Sequence, residues 1–184
     1  AAVASVLATP GSALVSGSAA VSVGARRVAL DDGRVLEAAL VLDGRGPRPE
    51  EASAPGAGFQ KFVGLELELE QPLGFSHPIV MDAELPQLDG YRFVYVLPFS
   101  SHRVLVEDTT FSDGPALDVA ERTNAVRAYA ARMGWRVARV VRAEKGVLAM
   151  PWAAPEGPSA GEALAIGWRG GWFHPATGYS TPVA

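Results

Sequence analysis

Apolar and polar residues alternate in the middle of the chain in the pattern of a β-strand. From Phe59 the sequence FQKFVGLELELEQP alternates leucine with glutamate, which predicts leucines in the core and glutamates on a solvated face. The alternating residues are Leu65, Glu66, Leu67, Glu68, Leu69 and Glu70. The runs PIVMD, YRFVYVLPF and HRVLVEDTTF are also strand-like, and turn-formers separate them. We therefore expect a mainly antiparallel sheet between Phe59 and Phe111.

The apolar period changes to that of an α-helix between Pro115 and Met133. Five residues fall on one stripe: Val119, Thr123, Val126, Ala130 and Met133. Gly134 follows this stripe and is a typical stop signal for a helix. The sequence therefore predicts one helix here, with Val119, Val126 and Met133 buried.

Turn signals predict a hairpin on each side of these elements. RRVALDDGRVLEAALVLDGRG alternates around DDG, continues through Ala38 to Leu42 as a predicted buried strand, and reaches the turn DGRG. A Pro, Ala and Gly-rich loop is predicted after it. Beyond the helix, WRVARVVRA and VLAMP are predicted as paired strands joined by the turn EKG.

Composition and charge favour a globular body whose partners are small molecules or proteins. The 184 residues are 48% hydrophobic, and 16 basic against 20 acidic residues give a net charge of -4, so nucleic acid is not an expected partner. The absence of cysteine excludes disulfides and thiolate chemistry and fits the cytosol. No metal site is expected, because His77, His102 and His174 lack the spacing of metal ligands.

The uncharged stretch from Ala1 to Ala25 is interrupted by Pro10, Gly11 and Gly17. These residues argue against a signal peptide or a spanning helix. Because both ends of the chain are apolar, we expect it to be a segment of a longer protein.

Three stretches of the sequence carry a resemblance to a known family. They are VLDGRG at Val41 to Gly46, FSHPIVMDAELPQLDGYRFVYVLPFSSHRVLVEDTTFSD at Phe75 to Asp113, and GWFHPATGYSTP at Gly171 to Pro182. Taken together they resemble the flavoprotein lycopene cyclases of carotenoid-making bacteria. The central stretch is the most specific, because MDA, DGYRFVY and EDT occur in the order and spacing of that family.

The resemblance implies an α+β fold: a mainly antiparallel sheet domain that covers the substrate, with partial segments of an FAD-binding domain. Residues 1–58 would supply strands, the DGRG turn and a loop of the FAD-binding domain. Residues 59–165 would form the substrate domain with its helix, and residues 166–184 would return to the FAD-binding domain. The family's leading Gly-rich fingerprint, G-x-G-x-x-G, does not occur in this sequence.

For the catalytic residues, the resemblance implies acid and base chemistry on a linear carotenoid. Glu107 and Asp108 match the acidic pair that contains the family's essential carboxylate, and we expect Glu107 to be the proton donor. Neighbouring strand residues point to opposite faces, so one of the pair would line the cavity directly. Without the resemblance, an exposed acidic pair at a strand end is the ordinary interpretation. Asp82 is a third candidate, either shaping the pocket or acting as a turn residue.

For the cofactor, the resemblance implies reduced FAD in a non-redox role, generated with NAD(P)H. The residues expected near the flavin are Gly44, Arg45, Gly46, Pro175, Thr177 and Gly178. Glycine permits the close approach of backbone to a ligand, although such loops also occur as plain turns. The aromatic residues of YRFVY are candidates for stabilising a cationic intermediate, with core packing as the alternative.

The function implied by the resemblance is proton-driven closure of the ends of lycopene into beta-rings, giving beta-carotene. A wholly apolar substrate implies a cytoplasmic protein in peripheral contact with the membrane. The alternatives are a related flavin-dependent polyprenyl reductase or monooxygenase, and a non-catalytic module that binds hydrophobic ligands. The sequence leaves the ring type, one-end or two-end cyclisation and the oligomeric state open.

Overall fold

The computed structural model describes residues 8–46, 57–151, 161–174 and 177–178. The described residues form two compact units, one made of residues 8–46 with 161–172 and the other of residues 57–151 with 173–174 and 177–178. Of the loop predicted before the sheet, residues 47–56 lie outside the described residues, and Ala57 and Gly58 already belong to the first strand of the sheet.

The first unit contains two small sheets. β1 (Ala20–Val23), β2 (Arg27–Leu30) and β3 (Val35–Glu37) form an antiparallel meander, and β4 (Leu42–Asp43) pairs in parallel with β10 (Leu164–Ala165). The hairpin predicted at DDG is confirmed, because Gly33 adopts a φ of +85° in the turn between β2 and β3.

The buried strand predicted from Ala38 to Leu42 is wrong. Only Leu42 and Asp43 are strand, and Leu40 and Leu42 are exposed whereas Val41 and Asp43 are buried. Apolar composition suggested burial on both sides, but a two-stranded sheet covers only one of its faces, so every second side chain meets solvent.

The second unit is built on a five-stranded antiparallel sheet. Its strands are β5 (Ala57–Leu69), β6 (Ile79–Asp82), β7 (Tyr91–Ser100), β8 (Arg103–Ser112) and β9 (Val137–Pro151). Their order across the sheet is β6-β7-β8-β5-β9. The prediction of a mainly antiparallel sheet over residues 59–111 is confirmed. The turn predicted between the runs PIVMD and YRFVYVLPF is also present at QLDG, where Asp89 and Gly90 both have positive φ.

Strand β5 lies inside the sheet, with β8 on one side and β9 on the other. Leu65, Leu67 and Leu69 are buried, as predicted. The prediction that Glu66 faces solvent is wrong, since its side chain is buried and forms ion pairs with Arg103 and Arg142. Arginines on both neighbouring strands supply charge partners that the alternation within β5 cannot reveal.

The predicted helix is confirmed as α1 (Val119–Arg132). It begins later than Pro115 because Asp118 is the N-cap, accepting a hydrogen bond from the Glu121 amide at 2.9 Å. Val126 and Ala130 are buried against the leucines of β5, together with Tyr129. Val119 and Met133 are only partly buried. Across the part of the chain that the structure describes, no helix has the length and apolar character needed to span a bilayer.

The hairpin predicted around EKG is wrong, because β9 runs without interruption from Val137 to Pro151. Gly146 is not a turn residue. It lies opposite Phe62 of β5, and a Cβ at Gly146 would stand 2.6 Å from the Phe62 ring. The glycine therefore provides space for an aromatic ring on the neighbouring strand.

We predict that Gly146→Ala lowers the free energy of unfolding by about 1–3 kcal/mol, because its methyl group overlaps the Phe62 ring. Urea denaturation measures the change. Gly114→Ala is the matched control, since a Cβ at that position meets no atom within 4 Å. Equal stability of the two variants would contradict the packing role of Gly146, and Phe62→Leu in the Gly146→Ala background should restore part of the loss.

Candidate functional site

The two faces of the five-stranded sheet carry different chemistry. Helix α1 covers one face, where the core is mainly aliphatic. The opposite face carries rings from β7 and β8, and we call it the aromatic face; its rings belong to Tyr91, Phe93, Tyr95 and Phe111. Phe93 is central, with ring centroids 5.5 Å from Tyr91, 5.1 Å from Tyr95 and 5.8 Å from Phe111. These distances are those of favourable aromatic contacts.

Glu107 of β8 lies on the aromatic face, directly across from Tyr95 of β7. Its carboxyl group is partly buried and accepts a hydrogen bond from the Thr109 hydroxyl at 2.9 Å. Burial raises the pKa of Glu107 and the carboxyl group of Glu144 raises it further, while the Thr109 hydrogen bond acts in the opposite direction. A carboxyl group in this setting retains its proton at a higher pH than an exposed glutamate does.

Glu144, which the sequence reasoning missed, lies on the same row of the sheet as Glu107. Gly64 of β5 pairs with Glu107 on one side and with Glu144 of β9 on the other. A Cβ at Gly64 would stand 3.0 Å from Cγ of Glu144. Arg142 donates a hydrogen bond to Oε2 of Glu144 at 2.5 Å. The sequence does not predict this position of Glu144, because EKG has the local composition of a turn.

Asp108, the neighbour of Glu107, points to the helix-covered face and is 1% exposed. Arg92 binds it with two nitrogens, Nε at 2.9 Å from Oδ1 and Nη2 at 2.5 Å from Oδ2. Arg122 of α1 adds a contact of 3.0 Å to Oδ1. The Asp108 carboxylate therefore joins β8, β7 and α1 through two guanidinium groups. It does not lie on the side of the sheet that Glu107 occupies.

Asp82 also lies on the helix-covered side, paired with Val94 in the sheet. The Tyr129 hydroxyl donates to its Oδ2 at 2.6 Å, the Glu84 amide donates to Oδ1 at 3.0 Å, and Arg132 is 3.3 Å away. The Tyr129 hydrogen bond lowers the pKa of Asp82 and outweighs the effect of burial. These contacts hold β6 against α1.

The first unit holds the predicted DGRG turn at the end of β4. Asp43 is buried and accepts from Arg45 Nε and Nη2, both at 2.9 Å, and Arg169 Nε lies 3.3 Å from it. The Arg45 hydrogen bonds lower the pKa of Asp43. Gly44 is exposed, and Gly46 has a φ of +84° with no atom within 4 Å of where a Cβ would stand. The glycine backbone is therefore accessible, which fits the approach of a cofactor.

The second unit holds the described part of the predicted HPATGYS loop. The Thr177 and Gly178 amides donate to the His174 carbonyl at 3.1 and 2.8 Å, and Gly178 adopts a φ of +71°. Pro175, predicted with them, lies outside the described residues. Within the described ranges, no group of three or more His, Asp or Glu side chains is arranged to hold a metal ion.

Comparisons with known proteins match nearly the whole chain. The family described as "Lycopene cyclase protein" matches residues 6–184. The lycopene beta-cyclase of Paracoccus sp. is 44% identical over 164 residues, covering 87% of this chain and 42% of that protein. The lycopene beta-cyclase of Pantoea ananas is 41% identical over 173 residues, covering 91% and 44% respectively. The capsanthin/capsorubin synthase of Citrus sinensis is 31% identical over 167 residues, covering 83% and 33%. The chain spans less than half the length of these relatives.

We predict unequal stability effects for substitutions of the two neighbouring acids. Asp108→Asn should lower the free energy of unfolding by about 3–5 kcal/mol, because it leaves Arg92 and Arg122 without their buried partner. Glu107→Gln should change it by less than about 1 kcal/mol. The raised pKa of Glu107 means that the folded state loses stability as pH rises through that pKa, and the amide removes this loss. Urea denaturation at pH 7 compares them, and an equal effect would contradict the assignment of the two faces.

Proposed function

The chain belongs to the lycopene cyclase family, and from this premise we propose that the protein that carries it is a lycopene beta-cyclase of carotenoid biosynthesis. Its substrate is lycopene together with the half-cyclised intermediate, gamma-carotene, and its product is beta-carotene. The support is the match over residues 6–184 and the 41–44% identity to proteins named lycopene beta-cyclase.

The proposed reaction is an isomerisation by an intramolecular lyase. A proton is added to a terminal double bond of the linear carotenoid, the resulting carbocation is attacked by a neighbouring double bond, and a proton leaves the ring that forms. Substrate and product have the same oxidation state, so the chemistry needs an acid, a base and stabilisation of a cation.

The position and environment of Glu107 are the observation that carries the proposal. A general acid for an apolar substrate must hold its proton near neutral pH, and burial beside hydrocarbon is the usual means. Glu107 is partly buried, lies across from Tyr95 on the aromatic face, and has a raised pKa. We propose that it is the proton donor to the terminal double bond.

The aromatic face is proposed to receive the end of the polyene. Ring faces attract cations, with a contribution of about 0.5–2 kcal/mol for each well-placed ring. Tyr95 is the ring directly across from Glu107, and Phe93 packs against it. The carbocation formed beside Glu107 would therefore develop within reach of aromatic rings.

Asp108 and Asp82 are proposed to support the site from the opposite side of the sheet. Asp108 fixes β8 to β7 and α1 through Arg92 and Arg122. Asp82 fixes β6 to α1 through Tyr129. Both acids would keep the strands that carry Tyr95 and Glu107 in place, without contacting the substrate.

The cofactor is proposed to be FAD, reduced with NAD(P)H. We propose that the first unit belongs to an FAD-binding domain and the five-stranded sheet with α1 to the substrate domain. The expected boundaries at residues 58 and 165 move accordingly, because Ala57 and Gly58 lie in β5 and Leu164 and Ala165 pair with β4. Gly44, Arg45 and Gly46 would approach the cofactor from the turn after β4, where the glycine backbone is accessible. Thr177, Gly178 and Pro175 would approach it from the loop. The reduced flavin would supply negative charge that stabilises the cationic intermediate.

The protein is proposed to work in peripheral contact with a membrane. Lycopene is a hydrocarbon and partitions into the bilayer, so an enzyme that takes it up must reach the membrane surface. The expected location is the cytoplasmic side.

We predict that Glu107→Gln in the full-length protein abolishes the formation of beta-carotene, because an amide keeps the shape of the side chain but cannot donate the proton. Loss of a general acid costs about a hundredfold to ten-thousandfold in rate. Pigment analysis in lycopene-producing cells measures it, with protein level and flavin content recorded alongside.

Glu68→Gln is the matched control for this experiment. Glu68 lies further along β5 on the same face as Gly64 and pairs with Arg139 at a partly exposed position, so its loss should leave the rate near that of the wild type. A near-native rate for Glu107→Gln would show that Glu107 is not the acid, and Glu144, the neighbouring carboxyl group on the aromatic face, would be the next to test.

We predict that Gly46→Ala weakens flavin binding by the full-length protein. Its methyl group meets no atom of the chain, so any loss of affinity beyond backbone strain reports a cofactor close to that backbone. Gly33→Ala is the matched control, with a φ of +85° against +84° and equally open space. Flavin fluorescence titration gives both dissociation constants. Equal affinities for the two variants would remove Gly46 from the cofactor site.

A further inference from the structure

One row of the sheet brings two carboxyl groups together across a glycine. Tyr95, Glu107, Gly64 and Glu144 are paired in register across β7, β8, β5 and β9. Gly64 contributes no side chain to this row, so the two glutamates are neighbours on the aromatic face. We propose that Glu107 and Glu144 hold one proton between them across Gly64, and that Glu144 is the positioning residue that keeps Glu107 protonated, so that Glu107 can act as the acid. The second part of this inference rests on the proposed function.

The spacing of the strands explains why glycine is required between the two acids. Strands two apart in a sheet are separated by about 10 Å, a distance that two glutamate side chains bridge only by leaning over the strand between them. A Cβ at Gly64 would stand 3.0 Å from Cγ and 3.2 Å from Oε1 of Glu144. The Glu144 side chain therefore occupies the space above Gly64, on the side where Glu107 lies.

The charges around the pair assign the proton to Glu107. Glu144 forms an ion pair with Arg142, which places the negative charge of the pair on Glu144. Among the described residues, no guanidinium group lies within ion-pair distance of Glu107. Its carboxyl group accepts a hydrogen bond from the Thr109 hydroxyl instead. The charged and titratable groups on the faces around Glu107 are Tyr95, Glu66, Arg103, Arg142 and Glu144. Of these, Arg103 and Arg142 are shared with the buried Glu66.

The consequence for catalysis is a donor that stays protonated through the neutral range. A carboxylate held beside a carboxyl group opposes its ionisation, in addition to the effect of burial. Both effects act in the same direction on the pKa of Glu107. Without Glu144 the acid form of Glu107 is lost at a lower pH.

The test uses the full-length protein and two readouts. Infrared difference spectroscopy follows the C=O stretching band of the protonated Glu107 carboxyl group against pH, with Glu107→Gln used to assign the band. The rate of beta-carotene formation from lycopene in liposomes is measured over the same pH range. The variants are Glu144→Gln, Glu144→Asp and Gly64→Ala, with Glu68→Gln as the control for removing a glutamate that pairs with arginine.

For Glu144→Gln, the Glu107 band should disappear at a lower pH than in the wild type. The rate should fall about tenfold at the alkaline end of the pH range and change by less than about twofold at the acidic end, because the catalytic acid would lose its proton at a lower pH. Glu144→Asp keeps the charge and should restore most of the alkaline rate. Gly64→Ala should shift the band in the same direction as Glu144→Gln, because its methyl group pushes Glu144 away. Glu68→Gln should match the wild type.

The two readouts test the shared proton and the proposed reaction independently of each other. If the Glu107 band titrates identically in the wild type and in Glu144→Gln, the shared proton is disproved, whatever the activity. If the band shifts but Glu107→Gln still forms beta-carotene at a near-native rate, the pair stands and the assignment of Glu107 as the acid fails. A uniform fall in rate at every pH, without a shift of the band, would reduce Glu144 to a structural role and overturn the proposal.

Discussion

The candidate site depends on the pairing of β5 with a strand on each of its sides. This pairing places Gly64 between Glu107 and Glu144, and Phe62 opposite Gly146. Both contacts need a residue without a side chain at one particular position. The register of the sheet is therefore a condition for the chemistry as well as for the core.

The two faces of the sheet hold buried carboxyl groups with different roles. On the helix-covered face, Asp108 is satisfied by two guanidinium groups and links three elements. On the aromatic face, Glu107 has a hydroxyl group and a second acid beside it. A fully paired carboxylate contributes to rigidity, whereas an incompletely paired one keeps its proton and is available for chemistry. Neighbours in the chain acquire these different properties only because the strand directs them to opposite sides.

The sequence predicted the parts of the fold that depend on local pattern. The helical stripe around Val126, the leucine face of β5 and the opposite orientation of Glu107 and Asp108 follow from periodicity within one element. What the sequence could not predict depends on pairing between distant strands. Glu66 is buried because arginines reach it from β8 and β9, and Glu144 is placed by a strand that local turn signals divided in two. Short-range patterns carry no information about which strands become neighbours.

The adjacency of Glu107 and Asp108 also limits how this segment can change in length. Inserting one residue earlier in β8 would exchange the faces of the two acids, carrying the partner of Arg92 and Arg122 to the aromatic face. Two buried guanidinium groups would then meet a glutamate side chain that is longer by one methylene. Insertions and deletions are therefore tolerated only in the segments that flank strand β8.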